Sequence, residues 1–191
     1  MEWFPKYNYI LASKSPRRQK LLKALGIDFE VRIDEVDEIF PAGMLPIEIP
    51  VFLATLKANA FIHQLIDNDL LITADTIVLL EGKIIGKPEN MQDAGKLLRT
   101  LSGKEHQVIT GVCLTSPVKQ KSFHAVTNVQ FKDLSDEEIE FYIYSCQPLD
   151  KAGAYGIQEW IGYIGISHIE GSFYNVMGLP IQKLYEEILR F

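Results

Sequence analysis

The run Leu70-Leu-Ile-Thr-Ala-Asp-Thr-Ile-Val-Leu-Leu80 constrains the fold more than any other stretch of the chain. It is apolar almost throughout, so a strand made from it must be covered on both faces, the condition of a strand inside an α/β sheet. The interruption is Asp75 with Thr76. A carboxylate in the middle of a buried strand is costly unless it is hydrogen-bonded, paired or near a metal. Asp75 therefore reads as a functional residue, with the capping of a strand end as the competing structural reading. Glu81-Gly82 turns the run back into Lys83 to Ile85, and Gly86-Lys87-Pro88 follows on a short loop.

A second strand and its helix stand upstream. Tyr9 to Ala12 suit a buried strand, and Ser15-Pro16 supply an N-cap and a first helical residue, so a helix is expected from there to Leu25, with Gly26 in the left-handed cap position. Arg17 and Arg18 put two cations in the first turn, where the helix dipole disfavours each by roughly 0.3–1 kcal/mol. Backbone N–H groups, two serine hydroxyls and two guanidiniums together make a site for a phosphate; a solvated basic turn is the plainer alternative.

The remaining elements alternate in type. Phe29 to Ile33 read as a strand, followed by the acidic cluster Asp34, Glu35, Asp37 and Glu38. That cluster fits a solvated loop, and it equally fits carboxylates facing a hard cation; the residues alone leave both open. A helix is expected over 51–66, with Val51, Ala54, Ala58, Phe61 and Leu65 as its apolar stripe and Lys57 at the edge, where its side chain would snorkel outward. Further helices are expected over 90–101, from the capping box Ser135-Asp-Glu-Glu138, and over 180–189. Paired strands are expected over 107–115 and 123–131, another strand over 163–169, and loops over 151–158 and 171–178. Gln158 in the first of these loops offers a donor and an acceptor of the kind that reads a base edge, although water or backbone would satisfy it equally.

Composition removes several classes. A formal charge of -6 argues against a surface that coats nucleic acid. Cys113 and Cys146 lack metal or disulfide spacing and read as core thiols, and His63, His106, His124 and His168 are scattered. No run approaches the roughly 18 apolar residues of a membrane span, and Met1 to Pro5 lack the form of a secretion signal, so a cytoplasmic protein is expected. No Gly-x-Ser-x-Gly, Walker A or dinucleotide glycine pattern is present. Metal-assisted phosphoryl chemistry fits the carboxylates, lysines and arginines better than acyl transfer does.

Taken together, Leu11-Ala-Ser-Lys-Ser-Pro-Arg-Arg18, Lys57-Ala58, Ala74-Asp-Thr-Ile-Val78, Gly86-Lys-Pro88, Leu101-Ser-Gly103, Asp150-Lys-Ala-Gly-Ala-Tyr-Gly-Ile-Gln158 and Gly178-Leu-Pro180 resemble the Maf family of nucleoside triphosphate pyrophosphatases, and more closely its dTTP/UTP-hydrolysing branch. The resemblance implies one α/β domain over 1–191, two-lobed like the inosine triphosphatases, with an extended mixed sheet and a central cleft. It implies hydrolysis of dTTP, UTP and related noncanonical pyrimidine nucleotides to the monophosphate and pyrophosphate, with a divalent cation, Mg2+ or Mn2+. Asp75 matches the family's proton acceptor. Ser13, Arg17, Arg18, Lys57 and Lys87 match positions that hold the triphosphate, and Glu38 falls at an acidic site position that would join Asp75 at the metal. Arg17, Thr76 and Gln158 match positions tied to base choice, while Glu159 and Trp160 stand where many relatives carry a small residue. A homodimer is also implied. The same chemistry on 7-methyl-GTP, and a non-catalytic nucleotide-binding regulator of cell division, since the family is linked to inhibition of septum formation, are the alternative readings.

Overall fold

A computed structural model describes residues 4–191. The elements are, in order, β1 (Asn8–Leu11), α1 (Pro16–Ala24), β2 (Phe29–Val31), α2 (Ile49–Asn59), β3 (Asp69–Leu80), β4 (Lys83–Ile85), α3 (Met91–Leu101), β5 (Glu105–Thr115), β6 (Gln120–Phe131), α4 (Asp136–Cys146), α5 (Trp160–Gly165), β7 (Ile166–Glu170), α6 (Phe173–Val176) and α7 (Ile181–Leu189). The class is α/β, as expected, and the sheet is mixed. Its strands run in the order β2-β1-β3-β5-β6-β7, with β4 added to β3. β1 pairs in parallel with both β2 and β3, whereas β4 and β7 pair antiparallel with β3 and β6. Among the described residues, no helix is long and apolar enough to cross a membrane.

The chain forms two compact units. The first comprises Met1–Asp75, Thr110–Ala125 and Gly178–Phe191; the second comprises Thr76–Ile109 and Val126–Met177. The first is centred on Ile10, Ala54, Ala58, Phe61, Leu65, Leu71 and Cys113, all buried. The Tyr9↔Leu70 register sets the apolar strand β1 beside the apolar run of β3. In the second unit α3 packs on α4, with Gly95 facing Ile143. His106, Phe131 and Tyr155 form an aromatic group there, with ring centroids 5.0–5.4 Å apart.

Local chemistry explains most boundaries. Pro16 opens α1, and Gly26 follows its end at φ 72°. Glu81 and Gly82 both take positive φ, the requirement of a two-residue turn that matches strand twist. The Asn90 side chain accepts from the Asp93 N–H, and α4 has the complete capping box of Ser135 and Glu138.

The differences from expectation fall where long-range packing outweighs propensity. α2 ends at Asn59 rather than 66; Ile62–Gln64 form a separate 3-10 turn, and Phe61 and Leu65 are buried without belonging to the helix. Residues 163–165 belong to α5, not to a strand, and β7 begins only at Ile166. Here the Gly162 N–H donates to Glu159 O, and an added Cβ at Gly162 would lie 1.8 Å from Ile157 O, so glycine allows a tight turn over the preceding backbone. The expected loop 171–178 contains α6, capped by the Ser172 hydroxyl accepting from the Asn175 N–H. Cys146 is only partly buried, so Cys113 alone is a core thiol.

Candidate active site

The first unit gathers Glu38, Lys57 and Asp75. Lys57 Nζ lies 2.6 Å from Asp75 Oδ1 and 2.8 Å from Glu38 Oε1. Lys57 therefore does not snorkel to solvent. Nearly a full turn of α2 separates it from Ala54, whose carbonyl accepts from the buried Thr73 hydroxyl at 2.7 Å. Thr73 is two residues before Asp75 on β3, so one hydrogen bond fixes the helix bearing the cation against the strand bearing the carboxylate. β5 approaches the start of α2 at Gly111, where an added Cβ would lie 2.2–2.3 Å from the Pro50 and Val51 backbone. Neither Thr73 nor Gly111 is singled out by sequence pattern; the signal is a hydroxyl inside an apolar run and a glycine inside a strand.

The acidic cluster divides. Asp34, Glu35 and Asp37 are exposed, and Glu35 pairs with Lys14 at 2.9 Å, which is the solvated-loop reading. Glu38 is exposed as well, but it reaches the Lys57–Asp75 pair. The β1–α1 turn is built by its own polar groups. Ser13 is buried, its hydroxyl accepts from the Ser15 N–H at 3.2 Å, and its carbonyl accepts from Gln19 Nε2. Ser15 is the N-cap, without a side-chain capping bond. Arg17 is partly exposed in the first turn. Arg18 donates from Nε to Gly178 O at 2.7 Å and from Nη1 to Ala74 O at 2.9 Å, which ties the turn to the residue preceding Asp75. Burial draws the Arg18 guanidinium below its ordinary pKa, with the charges of Asp75 and Glu38 opposing that shift. The Gly178-Leu-Pro motif thus has a local use: its first carbonyl holds an arginine.

Lys87, Thr76 and Gln158 belong to the second unit. Thr76 follows Asp75 on β3 and is partly buried, and Lys87 is exposed on the loop after β4. Gly86 O accepts from the Gly153 N–H at 2.9 Å, joining that loop to 151–158. Gln158 Nε2 lies 3.4 Å from Glu159 Oε1, while Gln158 Oε1 is buried without a hydrogen-bond partner.

A family profile described as Maf-like protein matches residues 8–191. The chain belongs to the Maf family. Its Maf relatives include a protein of Bacteroides thetaiotaomicron named dTTP/UTP pyrophosphatase, 57% identical over 184 residues, 96% of this chain and 95% of that one. A Parabacteroides distasonis protein of the same name is 52% identical over 192 residues and the full length of both. A Flavobacterium johnsoniae relative, also so named, is 51% identical across 97% of this chain and 95% of its own. Among solved structures, the Staphylococcus aureus Ham1 protein aligns at a TM-score of 0.48 and 18% identity, covering 66% of this chain and 72% of that chain.

Proposed function

We propose that this Maf-family chain is a nucleoside triphosphate pyrophosphatase that cleaves dTTP and UTP to the nucleoside monophosphate and pyrophosphate. The observation that carries the reading is the cluster in which Lys57 joins Asp75 and Glu38, in a chain more than half identical to relatives named dTTP/UTP pyrophosphatase. Asp75 accepts a proton from water; Lys57 holds Oδ1, and Oδ2 is the oxygen that meets the water. The water oxygen bonds to the α-phosphorus as the bond to the α–β bridging oxygen breaks, and its electron pair leaves on pyrophosphate. Ser13, Arg17, Arg18, Lys57 and Lys87 hold the triphosphate, where cations offset the charge moving onto the leaving group. Arg17, Thr76 and Gln158 favour the pyrimidine base.

Among the described residues, no group of three or more His, Cys, Asp or Glu side chains is arranged to hold a metal. Two carboxylates that meet at one cation do fit an ion such as Mg2+ or Mn2+, which binds through one or two carboxylates together with substrate phosphates. Glu38 and Asp75 would hold it, and it would neutralise phosphate charge.

The test is pyrophosphate release from dTTP, UTP, CTP, GTP and 7-methyl-GTP in the presence of magnesium. Turnover is expected chiefly with dTTP and UTP, because a polar base site rejects a ligand that leaves its groups unpaired. Faster turnover of 7-methyl-GTP would overturn the substrate. Nucleotide binding without any turnover would overturn the enzyme and leave a regulator.

A further inference from the structure

The 151–159 loop carries a hydrogen-bond network that the proposed chemistry does not use. Glu159 is its centre. Glu159 Oε2 accepts from the Tyr142 hydroxyl, and Oε1 lies 3.1 Å from Lys151 Nζ and 3.4 Å from Gln158 Nε2. The Tyr142 hydroxyl also accepts from the Gly156 N–H at 2.9 Å. Tyr142 is fully buried in α4, and Lys151 is 8% exposed, so both clamps on the carboxylate are themselves fixed. Gly156 completes the arrangement. A Cβ there would lie 2.7 Å from both Gln158 Nε2 and Glu159 Cδ, so the two side chains occupy the space that a larger residue would fill.

This network decides which way the Gln158 amide points. A carboxylate can only accept, so the amide atom facing Glu159 must be the NH2 group; the reverse orientation would set a carbonyl oxygen against a carboxylate. The amide then keeps its second N–H and its Oε1 acceptor, and the acceptor is buried and without a partner. A donor on a ligand would satisfy a buried acceptor in that condition. The ring N–H between the two carbonyls of uracil and thymine is such a donor. The corresponding ring nitrogen of cytosine is an acceptor and would repel it.

We propose that Glu159 is a positioning residue for base choice: clamped by Tyr142 and Lys151, it orients the Gln158 amide so that the carbonyl oxygen, and not the NH2 group, is set to meet the ring nitrogen of the base, selecting uracil and thymine over cytosine. The inference rests on the reading of Gln158 as a base-contacting residue.

The experiment compares kcat/KM for UTP and CTP in the wild-type protein, Glu159→Gln, Gln158→Met and Tyr142→Phe, with thermal melting of each. Glu159→Gln keeps shape but its amide can present either a donor or an acceptor, so the orientation of Gln158 is no longer imposed. The UTP:CTP ratio is expected to fall about tenfold or more in Glu159→Gln and at least as far in Gln158→Met. Tyr142→Phe, which removes one of the two clamps, is expected to lower the ratio by less. A ratio that collapses in Gln158→Met but holds in Glu159→Gln and Tyr142→Phe would overturn the positioning role and leave the reading of Gln158 standing. A ratio unchanged in all three would overturn the reading of Gln158 and the inference with it. An equal loss on both nucleotides with a lowered melting temperature would make Glu159 structural only.

Discussion

Lys57 and Lys151 occupy the same kind of position, an ammonium between two carboxylates, and the two clusters differ in what their carboxylates do besides. Lys57 meets Asp75 at 2.6 Å and Glu38 at 2.8 Å; Lys151 meets Asp150 at 2.8 Å and Glu159 at 3.1 Å. In the second cluster, Glu159 is also bound by a tyrosine hydroxyl and a neighbouring amide, so its two oxygens are committed. In the first, Lys57 engages Oδ1 of Asp75, and the proposed reaction draws on Oδ2. A buried lysine–carboxylate pair is weak evidence of stabilisation in itself, because desolvation offsets most of the attraction. The informative difference is the remaining valence of the carboxylate: a committed one holds a neighbour in place, and an uncommitted one can accept a proton.

Deleting one charge from each cluster gives the sharpest test of that contrast. Asp75→Asn is expected to lower kcat by about 10²–10⁴-fold, the usual contribution of a positioned general base, with little change in melting temperature. Glu159→Gln should instead move nucleotide preference while turnover of UTP persists. Activity retained in Asp75→Asn would break the comparison at its first term. The second unit should also respond to acid. His106 is buried, and desolvation lowers its pKa from 6.5 to about 4, partly offset by a backbone hydrogen bond at Lys104. The folded protein therefore resists protonating His106 while the unfolded chain does not, so stability is full above pH 6.5 and falls as the pH drops toward about 4. The loss approaches roughly 3 kcal/mol. Denaturant unfolding across that range should show it in the wild-type protein and not in His106→Gln.

Two smaller changes address how the first cluster is held. Gly111→Ala would push β5 against the Pro50 backbone, which cannot yield as a flexible side chain can, and is expected to cost about 1–3 kcal/mol. Thr73→Val removes the hydroxyl bond to Ala54 O and is expected to cost about 1 kcal/mol. Both should raise KM as Lys57 shifts relative to Asp75. Stability lost in either variant with unchanged kinetics would mean that the cluster keeps its geometry without these supports.

What could be read from the sequence was what depends on near neighbours. The buried strand around Asp75, the Glu81-Gly82 turn, the Ser135–Glu138 capping box and the Gly26 cap are local statements of backbone freedom and side-chain reach, and each stands in the structure. The resemblance also directed attention to Glu38 and Lys57, which the structure brings together with Asp75. The remainder depends on residues far apart in the chain. Ile161 to Ile166 carry the isoleucines and tyrosine of a strand, yet the turn over Ile157 makes part of this stretch helical. Lys57 looked like a snorkelling surface lysine because its partners lie 18 and 19 residues away on either side. Glu159 stood out only as a departure from the family pattern, and what it does depends on Tyr142, 17 residues earlier.

The Arg18 contact with Gly178 carries a consequence for how the protein is made. Its two ends are 160 residues apart, and the first unit is assembled from three separate stretches, the last of them 178–191. Synthesis proceeds at about 5–20 residues per second. The β1–α1 turn is thus among the first segments to leave the ribosome, yet Arg18 waits most of the translation time for the Gly178 acceptor, while the Ala74 acceptor follows 56 residues behind. The second unit, whose residues all precede 178, is fully synthesised by then, so the 151–159 loop is made before the last stretch of the first unit.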